Sequence, residues 1–131
     1  MSPKHLIVNA DDFGLCREIS MGILKARERG IVSAVSVVSV GSYFKMGWAA
    51  LKRSGVDVGI HLTFVGREKA LTGPIRGLTD ANGLFLKDKM HVIPRIILKA
   101  YDRKALEKEL YTQAHCLADA GFTITHINSH Q

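Results

Sequence analysis

The chain has 131 residues, 47% of them hydrophobic, which suits one domain with an appreciable core and excludes a disordered tail. Lys and Arg number 18 against 12 Asp and Glu, a net charge of +6. The basic residues are scattered and have no aromatic ladder beside them, so no nucleic-acid partner is expected. No apolar run is long enough to insert into a membrane, no leader pattern opens the chain, and Cys16 and Cys116 stand apart without CxxC pairing. These features read as a soluble, cytoplasmic protein with reduced thiols.

Leu6 to Ala10 reads as the first strand, with the apolar pattern of a parallel strand covered on both faces. It runs straight into NADDFG, where two adjacent acids are more than a turn needs. A helix from Arg17 to Arg29 follows, with Ile19, Gly22, Ile23 and Ala26 on its apolar face and Gly30 placed to close it in a left-handed conformation. The β-branched stretch Val32 to Val40 is the second strand, Phe44 to Lys52 a second helix, and Val56 to Leu62 a third strand. Residues 63–101 are irregular, punctuated by Gly66, Gly73, Pro74, Gly77 and Gly83, with a short helix expected from Ile93 to Ala100 around Pro94. The next helix has Leu106, Leu110, Ala114 and Leu117 on one face, Asp102 as its N-cap and Gly121 just past its end. Phe122 to Ile127 is the fourth strand. Strand and helix alternate through four rounds, the mark of an α/β fold with parallel strands, open sheet or barrel. A complete (β/α)8 barrel needs about 250 residues, near twice this length.

Functional groups in parallel α/β folds collect at the C-terminal ends of strands. Asp11 and Asp12 follow strand one, His61 lies near the end of strand three, and His126 and His130 bracket the end of strand four. Carboxylate and imidazole on one rim suit a divalent metal with positions left open for water or substrate. Each residue also has a plainer role: Asp11 or Asp12 as a cap, His61 as a core histidine bonded to a carbonyl, His126 and His130 as neighbours on one face. Asn9 either orients an acid or closes the turn. His5, His91 and His115 lie away from the rim, and Cys16 is read as packing.

Three segments, LIVNADDFG at 6–14, GIHL at 59–62 and THINSHQ at 125–131, resemble in order and spacing the motifs of the YdjC-like carbohydrate deacetylases. GIVSAVSVVSVG, lying between the first two, looks like that family's second strand. The resemblance takes in the family's N-terminal half. It implies a (β/α) barrel variant, with residues 1–131 as a partial deacetylase domain and 63–101 as an insertion loop within it. It implies a metal-dependent hydrolase that removes acetyl groups from N-acetylated sugars, with magnesium or zinc held by Asp12, His61 and His126 and with Asp11 as general base. His130 takes a secondary place, binding substrate, protonating the leaving amine or supporting the loop, and Gln131 stands where the family usually carries a further histidine. The alternative is a non-catalytic, metal-binding half-domain serving assembly or regulation. Four strand–helix units leave two sheet edges free, so either a homo-oligomer covering those edges or a piece of a longer protein is expected.

Overall fold

In the computed structural model, residues 3–130 are described. β1 spans Asn9–Phe13, three residues later than the apolar run suggests, and Leu6 and Ile7 stand 79% and 77% exposed ahead of it. The reason is topological. Among the described residues β1 is an edge strand with β2 as its single neighbour, and its leading residues are left uncovered. The two acids are therefore inside the strand, not after it.

Helix α1 occupies Arg17–Arg29 as the sequence predicts, but its buried residues are Ser20 and Ile23, while Ile19 faces outwards. Gly30 closes it in an extended conformation, φ −135°, in place of the expected left-handed one. β2 is Ala34–Val37, buried throughout; α2 is Phe44–Arg53 and β3 is Asp57–Leu62. α3 covers Lys89–Ile97 and α4 covers Arg103–Asp119, with β4 at Ile124–Ser129. The expected helix at Ile93 starts four residues earlier because Asp88 caps it, its carboxylate accepting from the Met90 N–H at 2.8 Å. Pro94 then sits inside the helix at the cost of one backbone bond.

All strands are parallel and lie side by side in chain order, β1-β2-β3-β4. With the strands in one unreversed order, right-handed crossovers put α1, α2 and α4 on the same side of the sheet, the arrangement of a barrel wall and not of a doubly wound sheet. That side holds the main core: Val35, Val37, Val58 and Ile60 of the strands pack with Phe13, Ile23, Phe44, Leu51 and Leu117. The opposite, concave side is polar. Asn9, Ser36, His61, His126 and Asn128 are joined there by side-chain hydrogen bonds.

The segment 63–101 has a core of its own, in which Val65, Ala70, Ile75, Leu78, Phe85 and Val92 are buried together. Two short antiparallel bridges, Lys69↔Leu84 and Thr79↔Phe85, fold it back on itself. It is fastened to α4 by two polar residues with no exposed surface. The Glu109 carboxylate accepts from Leu71 N, Thr72 N, Thr72 Oγ1 and Gln113 Nε2 at 2.8–3.0 Å. The Gln113 amide in turn receives Thr63 N and donates to Thr63 O. Asp102 caps α4 as expected, accepting from Ala105 N at 3.0 Å. The predicted apolar face is only partly buried apart from Leu117, and the centre of the buried face is this polar pair. Among the described residues no helix is long and apolar enough to cross a membrane.

Candidate metal centre

Adjacent residues of a regular strand point to opposite faces, so two neighbouring acids on one site require a local break in the ladder. β1 has one. Ala10 pairs with Val35 and Phe13 with Val37, so three steps of β1 oppose two of β2, and within this bulge Asp12 takes φ +71°. Asp is among the residues that tolerate the left-handed region, and bulges re-aim side chains in this way. As a result Asp11 and Asp12 both reach the polar side. β4 carries a matching irregularity: Val58 pairs with Ile124 and Ile60 with Ile127, after which His61 lies beside Asn128.

Asp12, His61 and His130 each bring one ligand atom into a group whose members lie within 4.8 Å of one another. Asp12 Oδ1 is 3.3 Å from His61 Nε2 and 2.8 Å from His130 Nδ1. The two imidazoles meet edge to face, centroids 5.3 Å apart, and their side chains are only 6% and 11% exposed.

The hydrogen bonds fix which nitrogen of His61 is free. Asn9 Nδ2 and Asn128 Nδ2 both donate to Asp11 Oδ1, at 2.7 and 2.9 Å. An ionised carboxylate only accepts, so the Asn128 amide must turn its NH2 to Asp11 and its oxygen to His61 Nδ1, 2.5 Å away. His61 Nδ1 therefore carries a proton, and in the neutral ring Nε2 presents a lone pair to the Asp12 carboxylate. Two electron-rich atoms 3.3 Å apart repel unless a proton or cation lies between them. This is the arrangement of a metal-ligating histidine whose second nitrogen donates to a neighbouring acceptor. The residues fit a divalent ion, with zinc suited by the imidazoles and magnesium admitted by the carboxylate and water.

Of the residues expected from the sequence, Asp12 and His61 come together. His130 joins them, in place of His126. The ring of His126 lies instead across β3 on bare Gly59, its Nε2 3.1 Å from Ser36 Oγ on β2 and its Nδ1 2.9 Å from Thr125 Oγ1. Both its nitrogens are thus engaged deeper in the sheet, while His130 is at the rim. Asp11 stands beside the group, its Oδ1 3.9 Å from His61 Nδ1 and its side chain 50% exposed. Asn9 orients the acid and does not merely close a turn. Asn128 and Ser36 have no place in the sequence reading. Their signals were parity with His126 and His130 along β4, and a lone hydroxyl amid the valines of β2. Gln131 lies outside the described residues.

A family profile described as YdjC-like protein matches residues 5–131. A carbohydrate deacetylase of Listeria monocytogenes serotype 4a (strain HCC23) is 32% identical over 126 residues, which are 95% of this chain and 50% of that protein. A carbohydrate deacetylase of Vibrio cholerae serotype O1 (strain M66-2) is likewise 32% identical, over 95% of this chain and 48% of its own length. Among solved structures, one from Enterococcus faecalis V583, provisionally described as a cellobiose-phosphate cleavage protein, superposes with a TM-score of 0.81 at 27% identity, covering 98% of this chain and 49% of that one. The chain spans about half the length of the curated relatives it matches. With its bulged acid pair, parallel sheet and rim histidines all inside the matched span, the chain belongs to the YdjC-like family.

Proposed function

We propose that this chain carries the metal-binding, base-bearing wall of a carbohydrate deacetylase that hydrolyses the acetamide of N-acetylated sugars. The observation that carries the reading is the division of labour between the two neighbouring acids. Asp12 touches both imidazoles, whereas Asp11 stands beside them, its Oδ1 3.9 Å from His61 Nδ1 and held by two amides. Asp12, His61 and His130 would hold the ion, which when bound polarises the acetamide carbonyl and makes nearby water more acidic. The remaining roles belong to the chain itself. Asn9 and Asn128 occupy Oδ1 of Asp11, and Oδ2 has no hydrogen-bond partner among the described residues. Oδ2 is then the oxygen that takes the proton from water as water adds to the carbonyl carbon. Cleavage of the C–N bond returns a proton to the amine, giving acetate and the free amino sugar. The names of the relatives support the sugar substrate.

The test is zinc and magnesium titration by calorimetry together with acetate release from N-acetylglucosamine oligomers. Asp12→Ala is expected to lose the ion. Asp11→Asn is expected to keep the ion and lose turnover. Absence of ion binding in the wild-type chain would overturn the reading. Binding without acetate release would favour the second reading, a non-catalytic metal-binding half-domain.

A further inference from the structure

We propose that His126 is a positioning residue for Asp11: as the Nδ1–H tautomer it receives the Ser36 proton, freeing Ser36 to accept the two amides that also hold Asp11. The inference rests on Asp11 being the base.

The argument is one of donor and acceptor counting. Ser36 Oγ has three partners, Asn9 Nδ2 at 2.8 Å, Asn128 Nδ2 at 3.0 Å and His126 Nε2 at 3.1 Å. A hydroxyl offers one proton and two lone pairs. Both amides must point an N–H at Ser36, because their other N–H goes to Asp11 Oδ1. Those two N–H groups fill the lone pairs of Ser36. Its one proton then has a single destination, Nε2 of His126, which must be unprotonated. The proton of His126 is accordingly on Nδ1, where Thr125 Oγ1 receives it at 2.9 Å, and Thr125 passes its own to Val58 O at 3.1 Å. From Val58 to Asp11 every group in this chain has a defined direction. Reversing the His126 tautomer would set three N–H groups against two lone pairs at Ser36, and one amide would have to let go.

The seat of the imidazole is made for it. Gly59 is the register partner of Ser36 on β3, and a Cβ there would collide with the His126 ring. A histidine at 126 thus reaches over the glycine from β4 to β2, a span a shorter side chain cannot make.

The experiment is a long-range 1H–15N correlation spectrum of ring-labelled protein, without ion and with zinc, on wild type and the three variants Ser36→Ala, His126→Ala and His126→Gln. Wild-type His126 is expected to show a protonated Nδ1 and a bare Nε2, with the Nε2 signal moving towards that of free imidazole in Ser36→Ala. The side-chain amide signals of Asn9 and Asn128 are expected to shift in Ser36→Ala and in His126→Ala, and to return towards wild type in His126→Gln, whose amide oxygen can accept the Ser36 proton. Zinc affinity should be unchanged in all three. Where the chain turns over, kcat should fall about tenfold to a hundredfold in His126→Ala with KM unaltered, and recover in part in His126→Gln. A protonated Nε2 at His126, or Asn9 and Asn128 signals unmoved in His126→Ala, would overturn the proposal. Neither readout depends on turnover, so failure of the deacetylase reading would be seen separately, in an inactive wild type with the network intact.

Discussion

Glu109 gives the sharpest test of how the segment 63–101 is held. Replacing it with alanine removes the acceptor of four bonds, from Leu71 N, Thr72 N, Thr72 Oγ1 and Gln113 Nε2. Each buried donor left without a partner costs about 1–3 kcal/mol. The Leu71 and Thr72 groups are partly buried and can recover some solvation, so the four together should cost about 3–4 kcal/mol, at or just below the low end of that sum. With a urea slope of about 2 kcal/mol per molar, the midpoint should fall by roughly 1.5–2 M with the slope unchanged. Glu107 on the same helix is the control. Its bond to Arg103 Nε is short, 2.7 Å, but the two side chains are 59% and 81% exposed. Glu107→Ala should therefore move stability by less than about 0.5 kcal/mol. Glu109→Gln keeps the volume and turns one acceptor into a donor facing donors, so it should fall between the two. If Glu109→Ala lowers the midpoint no further than Glu107→Ala does, the clamp contributes nothing and the reasoning fails.

Gly59→Ala should push the His126 ring off its seat, altering the His126 and Ser36 signals in NMR while leaving zinc affinity within about twofold, since the ion ligands lie at the rim. Burial pushes the Cys116 thiol above its ordinary value of 9.0. Iodoacetamide at pH 8 should therefore modify it more slowly than a free cysteine, and mass spectrometry of tryptic peptides would show this. Because the folded value is the higher, the thiol's contribution to stability is intact below the ordinary value and is lost as pH climbs through the folded one. The free edges of β1 and β4 should drive self-association, read as a sedimentation mass above that of one 14.4 kDa chain; a monomer at all concentrations would argue against it.

Much of this fold is written in local pattern. The bounds of α1, the Asp102 cap and the alternation of strand and helix follow from spacing and from capping chemistry. What escaped the sequence reading depended on tertiary geometry. Leu6 and Ile7 look like strand because apolar runs usually are, yet nothing on the outer side of β1 buries them. Glu109 and Gln113 look like solvated helix surface, and only the returning segment 63–101 makes them core. Choosing between His126 and His130 was out of reach because their spacing puts both on one face. Which reaches Asp12 is decided by the bulges in β1 and β4, and one of these depends on a left-handed residue that no periodicity reveals.

The polar concave side of the sheet has a bearing on what can lie against it. Its groups are already matched to one another, proton for lone pair, from Val58 through to Asp11. An oily surface laid over them would strip water from the rim and offer nothing in exchange. Whatever lies opposite must therefore be hydrophilic or hold solvent, while hydrophobic and backbone-mediated joining is left to the margins. The wall thus keeps apart two kinds of encounter, another strand along its sides and a hydrated solute across its hollow.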